Sequence, residues 1–141
     1  MNFIIDSLIV FSITFDSLKI FNLNAKSFEF GNYKIQSETL KISTGAISGL
    51  KNYKILNKDE SFNVGKIYFE KGKSANYFIV FFERKNWHIF GITEKRSSIW
   101  INDSVIDLID GQFFYKKINN APYKLKVIKN KMIILKEYNF K

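Results

Sequence analysis

The sequence predicts a mainly β fold (α+β), made of two successive small antiparallel β-sheet units, the first with one candidate short helix. Three observations carry that expectation. Apolar and polar residues alternate with period two along most of the chain, as in half-buried strands. The apolar run Tyr77-Phe78-Ile79-Val80-Phe81-Phe82 is short and unbroken, which reads as a strand covered on both faces. Turn-forming pairs such as Gly31-Asn32 and Asn102-Asp103 interrupt the alternation at short intervals.

Taken in order, Met1 to Leu23 is apolar, but Asp6 and Asp16 interrupt it, and it has neither a basic start nor a small-residue cleavage site. A carboxylate near the centre of a bilayer costs about 3 kcal/mol, so two buried strands are expected here and no membrane span. Ile9, Phe11, Ile13 and Phe15 read as the first strand and Leu18–Phe21 as the second. Ser27–Phe30 follows; after the Gly31-Asn32 turn, Tyr33–Ile35 is expected to pair with Thr39–Ile42. Over residues 44–56, Ala46, Ile47, Leu50 and Tyr53 share one helical face, and Ser43 or Thr44 offers a cap. Gly45 and Gly49 oppose a helix there by about 1 kcal/mol each. The polar loop at Asn57–Asn63 then suggests a division into an N-terminal unit, 1–57, and a C-terminal unit with a basic edge, 58–141.

In the second unit, strands are expected at Val64–Glu70, Tyr77–Phe82 and Trp87–Ile92. Asn102-Asp103 joins Ser98–Ile101 to Ser104–Leu108 in a tight hairpin. A last hairpin pairs Tyr123–Val127 with Met132–Lys136.

Charge is the strongest functional signal. The chain has 22 Lys and Arg against 13 Asp and Glu, a formal +9. Residues 1–70 contribute +1 of it and residues 71–141 contribute +8. Clustered cations repel unless a polyanion neutralises them, so the asymmetry points to such a partner. Lys outnumbers Arg 20 to 2 in a chain rich in Ile, Phe, Asn and Tyr, all residues with AT-rich codons. Codon drift therefore accounts for Lys over Arg, but not for the concentration of Lys in one half. Lys124 and Lys126 alternate with Tyr123, Leu125 and Val127, so one strand face carries both ammonium groups. Lys129 and Lys131 flank the next turn, Lys116 and Lys117 precede the strand, and Lys95 and Arg96 lie in an earlier loop. These eight are the expected phosphate contacts; the competing explanation is a solvated lysine edge that blocks sheet aggregation.

Other chemistry is poorly supplied. The chain lacks cysteine, which excludes disulfides and thiolate metal or redox sites. His88 is the sole histidine and sits within a strand pattern, where a solvent-facing or hydrogen-bonded role fits better than catalysis. Asp103, Asp107 and Asp110 lack the spacing of a calcium loop, and Gly45 with Gly49 lacks the lysine of a phosphate loop. No enzyme activity, cofactor or metal is expected. Trp87, Trp100 and Phe113–Tyr115 read as core residues before base-stacking ones.

Two resemblances add to this reading. Trp87–Ile92, the basic turn Glu94-Lys95-Arg96, the strand Val105–Leu108, and Tyr123–Val127 with Lys131–Leu135 resemble the C-terminal domain of ribosomal protein six of the large subunit. Leu18–Ile20, Tyr33–Ile35 with Leu40–Ile42, and Ala46-Ile47-Ser48-Gly49 are similar to that family's N-terminal repeat and its helix start. Residues 57–75 are an insertion relative to the family, whose closing helix and Gly/Lys/Tyr-rich tail have no counterpart. The resemblance implies a structural binder of ribosomal RNA among neighbouring ribosomal proteins, reading shape rather than base identity. With the codon bias it implies a mitochondrial matrix setting, organelle-encoded, or the cytoplasm of an AT-rich bacterium. The alternative resemblance is to a forkhead-associated domain, through Ser98–Asn102, Val105–Leu108 and Asp110–Phe114, with Val64-Gly65-Lys66 at its Gly-Arg step. Ser97 and Tyr77 replace the phosphothreonine-reading Asn and His of that family. This second likeness implies a β-sandwich scaffold holding protein subunits of another assembly.

Overall fold

The computed structural model describes residues 1–72, 76–83 and 85–129, together with the backbone of 132–137. The described residues form strands β1 (Asn2–Ile5), β2 (Ile9–Ile13), β3 (Ser17–Asn22), β4 (Ser27–Phe30), β5 (Tyr33–Ile35), β6 (Leu40–Ser43), β7 (Gly49–Leu56), β8 (Phe62–Lys71), β9 (Tyr77–Glu83), β10 (Asn86–Ile92), β11 (Ser98–Ile101), β12 (Ser104–Ile106), β13 (Phe113–Ile118), β14 (Lys124–Lys129) and β15 (Met132–Glu137). They build three sheets: β1-β2-β3-β6, a central β13-β10-β9-β8-β7-β4-β5, and β12-β11-β14-β15. Every pairing is antiparallel. The fold is mainly β, and no helix occurs among the described residues. None of these residues forms a helix long and apolar enough to cross a membrane.

The strand period explains the layering. In β9, Tyr77, Ile79 and Phe81 join Phe11, Leu18 and Phe28 in a core between the first sheet and the central one. The alternate residues Phe78 and Val80 join Ile99, Leu125 and Val127 in a second core, between the central sheet and the third. The apolar run is thus covered on both faces, as a strand in the middle layer must be. Gly91 permits this packing in β10: a Cβ there would lie 2.0 Å from the Tyr77 carbonyl oxygen and 2.9 Å from the Phe114 ring.

Three expectations need correction. Residues 44–56 are not helical. Gly45 (φ 88°) and Gly49 (φ 84°) take left-handed conformations, and β7 pairs with both β4 and β8. Two ladders of hydrogen bonds and a period-two burial of Tyr53 and Ile55 outweigh the helical spacing. Thr44, the expected cap, instead donates its hydroxyl to the Phe15 carbonyl at 2.6 Å.

Nor does β5 pair with β6. β5 closes on β4 in the central sheet, and β6 joins β3 in the first. The crossing at residues 36–39 lets Ile35 and the pair Leu40 and Ile42 meet across the core; a hairpin would have left them in one layer. The N-terminus holds three strands rather than two, with β1 turning into β2 through Asp6 (φ 51°) and Ser7 (φ 56°). β2 ends at Ile13, where Thr14 accepts from the Ser17 amide and starts the next turn.

The boundary expected at 57/58 falls in a hairpin inside the central sheet. β7 and β8 pair across it from Leu56↔Phe62 to Gly49↔Phe69.

Candidate nucleic-acid interface

The third sheet carries three of the eight expected phosphate contacts, Lys124, Lys126 and Lys129, and its turn chemistry places the start of their strand. Asn102 (φ 48°) and Asp103 (φ 66°) make the tight hairpin between β11 and β12. The Asn102 side chain then reaches the start of β14. Its oxygen accepts from the amides of Tyr123 (2.9 Å) and Lys124 (3.2 Å), and its nitrogen donates to the Ala121 carbonyl at 3.1 Å. Asp103 sits 3.4 Å from the Lys124 ammonium. This turn fixes where the basic strand begins.

Along β14, Leu125 and Val127 enter the core while Lys124 and Lys126 lie on the outer face. Cross-strand register sets Lys126 opposite Trp100, and Trp100 opposite Val105, in one row on that face. The Lys126 ammonium stands 4.6 Å from the Trp100 ring centroid, a cation–π contact. At the far end of β14, Lys129 pairs with Glu94, which draws the exposed Lys95–Arg96 turn alongside. From Lys124 to Lys129 the strand extends about 17 Å. Lys124 and Lys126 therefore share the outer face, while Lys129, of opposite parity, turns to Glu94 and lies with the Lys95–Arg96 turn at the end of the strand.

Lys116 and Lys117 belong elsewhere. Both lie on β13, the edge of the central sheet, opposite Ile89 and His88 respectively. Consecutive strand residues face opposite ways, so the two lysines flank the edge instead of joining one surface. Both are exposed. Lys131 lies outside the described residues.

Two groups named for other chemistry are placed as follows. His88 is only 5% exposed. Its Nδ1 is 2.7 Å from the Tyr115 hydroxyl, and its Nε2 is 3.9 Å from the Glu83 carboxylate. Burial lowers its pKa, with Lys117 adding to the effect and Asp6 opposing it. Tyr115 is raised by burial and by Asp6. This is the hydrogen-bonded strand histidine expected from sequence, turned inward rather than toward solvent. Asp103, Asp107 and Asp110 do not converge, and no group of acidic and histidine side chains with metal-holding geometry occurs among the described residues.

One feature has no counterpart in the sequence reading. On the face of the central sheet beside the third sheet, β4, β7 and β8 have a groove of about 610 Å³, walled by Val64, Phe82 and Trp87 and flanked by Lys54 and Lys66. Phe82 and Trp87 stack with centroids 4.1 Å apart. Beside them Tyr68 is pushed up to about 12 by burial and by its neighbour Glu70. The available signal was that β8 reads Phe62, Val64, Lys66, Tyr68 on this face, more apolar than a strand open to water requires.

No protein-family model matches this chain, and neither does any curated protein or solved structure.

Proposed function

We propose that the protein is a non-catalytic structural protein that binds RNA through the outer face of its third sheet, with ribosomal RNA of the large subunit as the partner implied by the resemblance. One observation carries this reading: the outer face of β14, where the Lys126 ammonium stands over the Trp100 ring and Lys124 lies two residues away on the same side. The outer ammonium groups of Lys124 and Lys126, with Lys95 and Arg96 exposed at the end of the strand, can reach several phosphates, and each phosphate neutralised releases counterions. The internal partners Asp103 and Glu94 hold Lys124 and Lys129 at the surface. Exposed ion pairs of this kind are worth about 0–1 kcal/mol, so phosphate can displace them.

The double substitution Lys124→Glu, Lys126→Glu tests the proposal. Binding to ribosomal RNA, measured by filter retention across a salt series, is expected to fall at least tenfold, with a flatter salt slope. Unchanged binding by a variant with the parent's circular dichroism would reject this surface. In lysates, cosedimentation with large ribosomal subunits that ribonuclease abolishes would place the partner; nuclease-insensitive migration elsewhere would remove the ribosome from the proposal. The groove on the central sheet favours a second reading, a scaffold that holds protein, because RNA phosphates have no use for an aliphatic surface.

A further inference from the structure

The half of the central sheet that the third sheet leaves open is built as a docking face. On it Val64 is 68% exposed and Phe62 52%, neighbours on one face of β8, while Leu50 stands apart at the other end of the strand pair, opposite Tyr68. Isolated exposed apolar residues are ordinary; neighbouring ones beside a groove mark a contact surface. We propose that this groove binds an extended acidic peptide segment of a partner protein, its apolar side chains over Val64 and Phe82 and its carboxylates on Lys54 and Lys66.

Charge selects this occupant. Cross-strand pairing sets Lys54 opposite Val64, and Lys66 lies two residues further along β8. That diagonal holds side chains roughly 7–8 Å apart, close to the spacing of alternate residues in an extended peptide. Glu29, the acidic member of the groove lining, is already 3.5 Å from Lys34. Lys54 rests 3.9 Å over the Phe62 ring. Among the described residues, neither Lys54 nor Lys66 has a carboxylate within ion-pair distance. An apolar bed flanked by two such cations is complementary to an extended segment whose every second residue, the set facing the sheet, includes both apolar side chains and Asp or Glu.

Two other occupants fit less well. A second copy would bring a formal +9 against +9, and the repulsion opposes association. Single-stranded nucleic acid needs open aromatic faces on which to stack bases. Here Phe82 and Trp87 stack on one another, Trp87 is only 8% exposed, and the exposed Phe62 ring already carries the Lys54 ammonium over its face.

Selection of random octapeptides displayed on phage against the full chain provides the test, followed by fluorescence anisotropy with the selected peptides. The expected result is enrichment of Asp or Glu and apolar residues together at every second position, micromolar binding, and at least tenfold weakening in the Lys54→Glu, Lys66→Glu variant. Val64→Asp should weaken binding similarly, and circular dichroism of both variants should match the parent. Failure to select any peptide, selection of neutral or basic ones, or binding indifferent to these substitutions would overturn the proposal. Oligo(U) should leave a selected peptide bound to a chain carrying Lys124→Glu and Lys126→Glu, whose third sheet no longer holds RNA. Displacement that persists in that variant would assign the groove to nucleic acid and overturn the proposal. Concentration-dependent dimers abolished by Val64→Asp would assign it to a second copy and also overturn it.

Discussion

On one face of the central sheet, β1, β2, β3 and β6 cover every strand, so that Ile35 at one edge and Tyr115 at the other pack on the same core. On the opposite face the third sheet covers β9, β10 and β13, reaches Tyr68 at its margin, and leaves β4 and β7 open. The difference separates the side that holds the larger core from the side that carries both proposed contact surfaces. The fully covered face is dominated by ring contacts, among them Tyr53 on Phe81 at 4.4 Å and Phe11 on Phe90 at 5.2 Å. The half-covered face carries the outward lysines of β14 on top of a smaller core and the groove beside it. Stability is concentrated on one side, and both proposed contact surfaces lie on the other.

Several measurements would break or sharpen that contrast. Phe81 is fully buried in the larger core, and Phe81→Ala is expected to cost about 3–5 kcal/mol, read by urea denaturation. Amides of β11 and β14 should exchange with solvent at a lower opening free energy than those of β9 and β10; the reverse order would mean that the third sheet, not the first, anchors the fold. On the other side, Gly91→Ala forces a Cβ into the Tyr77 carbonyl and the Phe114 ring. It should cost about 3 kcal/mol, and a variant as stable as the parent would show that β10 can shift without loss.

A smaller effect concerns pH. Burial lowers the pKa of His88 below its ordinary 6.5, so the folded state favours the neutral imidazole. As pH falls below 6.5 the unfolded chain takes up the proton first, and stability drops until the folded-state histidine is also protonated. The slope for one proton is at most about 1.4 kcal/mol per pH unit. His88→Gln should flatten this part of the stability profile, and an unchanged slope would place its origin elsewhere. The smallest effect is expected on the open face: Val64→Thr should alter stability by less than about 0.5 kcal/mol. A larger loss would mean that Val64 supports the fold rather than offering a surface to a partner.

Much of this architecture is legible in single segments. The turn at Asn102-Asp103, the doubly covered run Tyr77–Phe82 and the outward lysines of β14 all follow from residue type and a period of two. The misreadings arose where local and non-local signals conflict. Ala46, Ile47, Leu50 and Tyr53 do share a helical face, yet Leu50 is exposed and Tyr53 buried because the strand pairs with neighbours on both sides. Residues 36–39 resemble a hairpin turn, and nothing local says that the chain changes layer there. For the candidate interface, alternation identified Lys124 and Lys126 and equally divides Lys116 from Lys117, but the placement of those two on an edge of the central sheet and the pairing of Lys129 with Glu94 depend on strand order.

Residue alternation, turn chemistry and charge were enough to establish a β protein whose cations concentrate in its second half, because these properties act between near neighbours in the chain. Which strands share a sheet, which half of the central sheet stays open, and which lysines stand together were decided by tertiary structure. Those outcomes depend on apolar faces distant in sequence finding one another, as Ile35 finds Leu40 and Ile42 across the core. Burial rewards the area removed from water, whichever strands supply it.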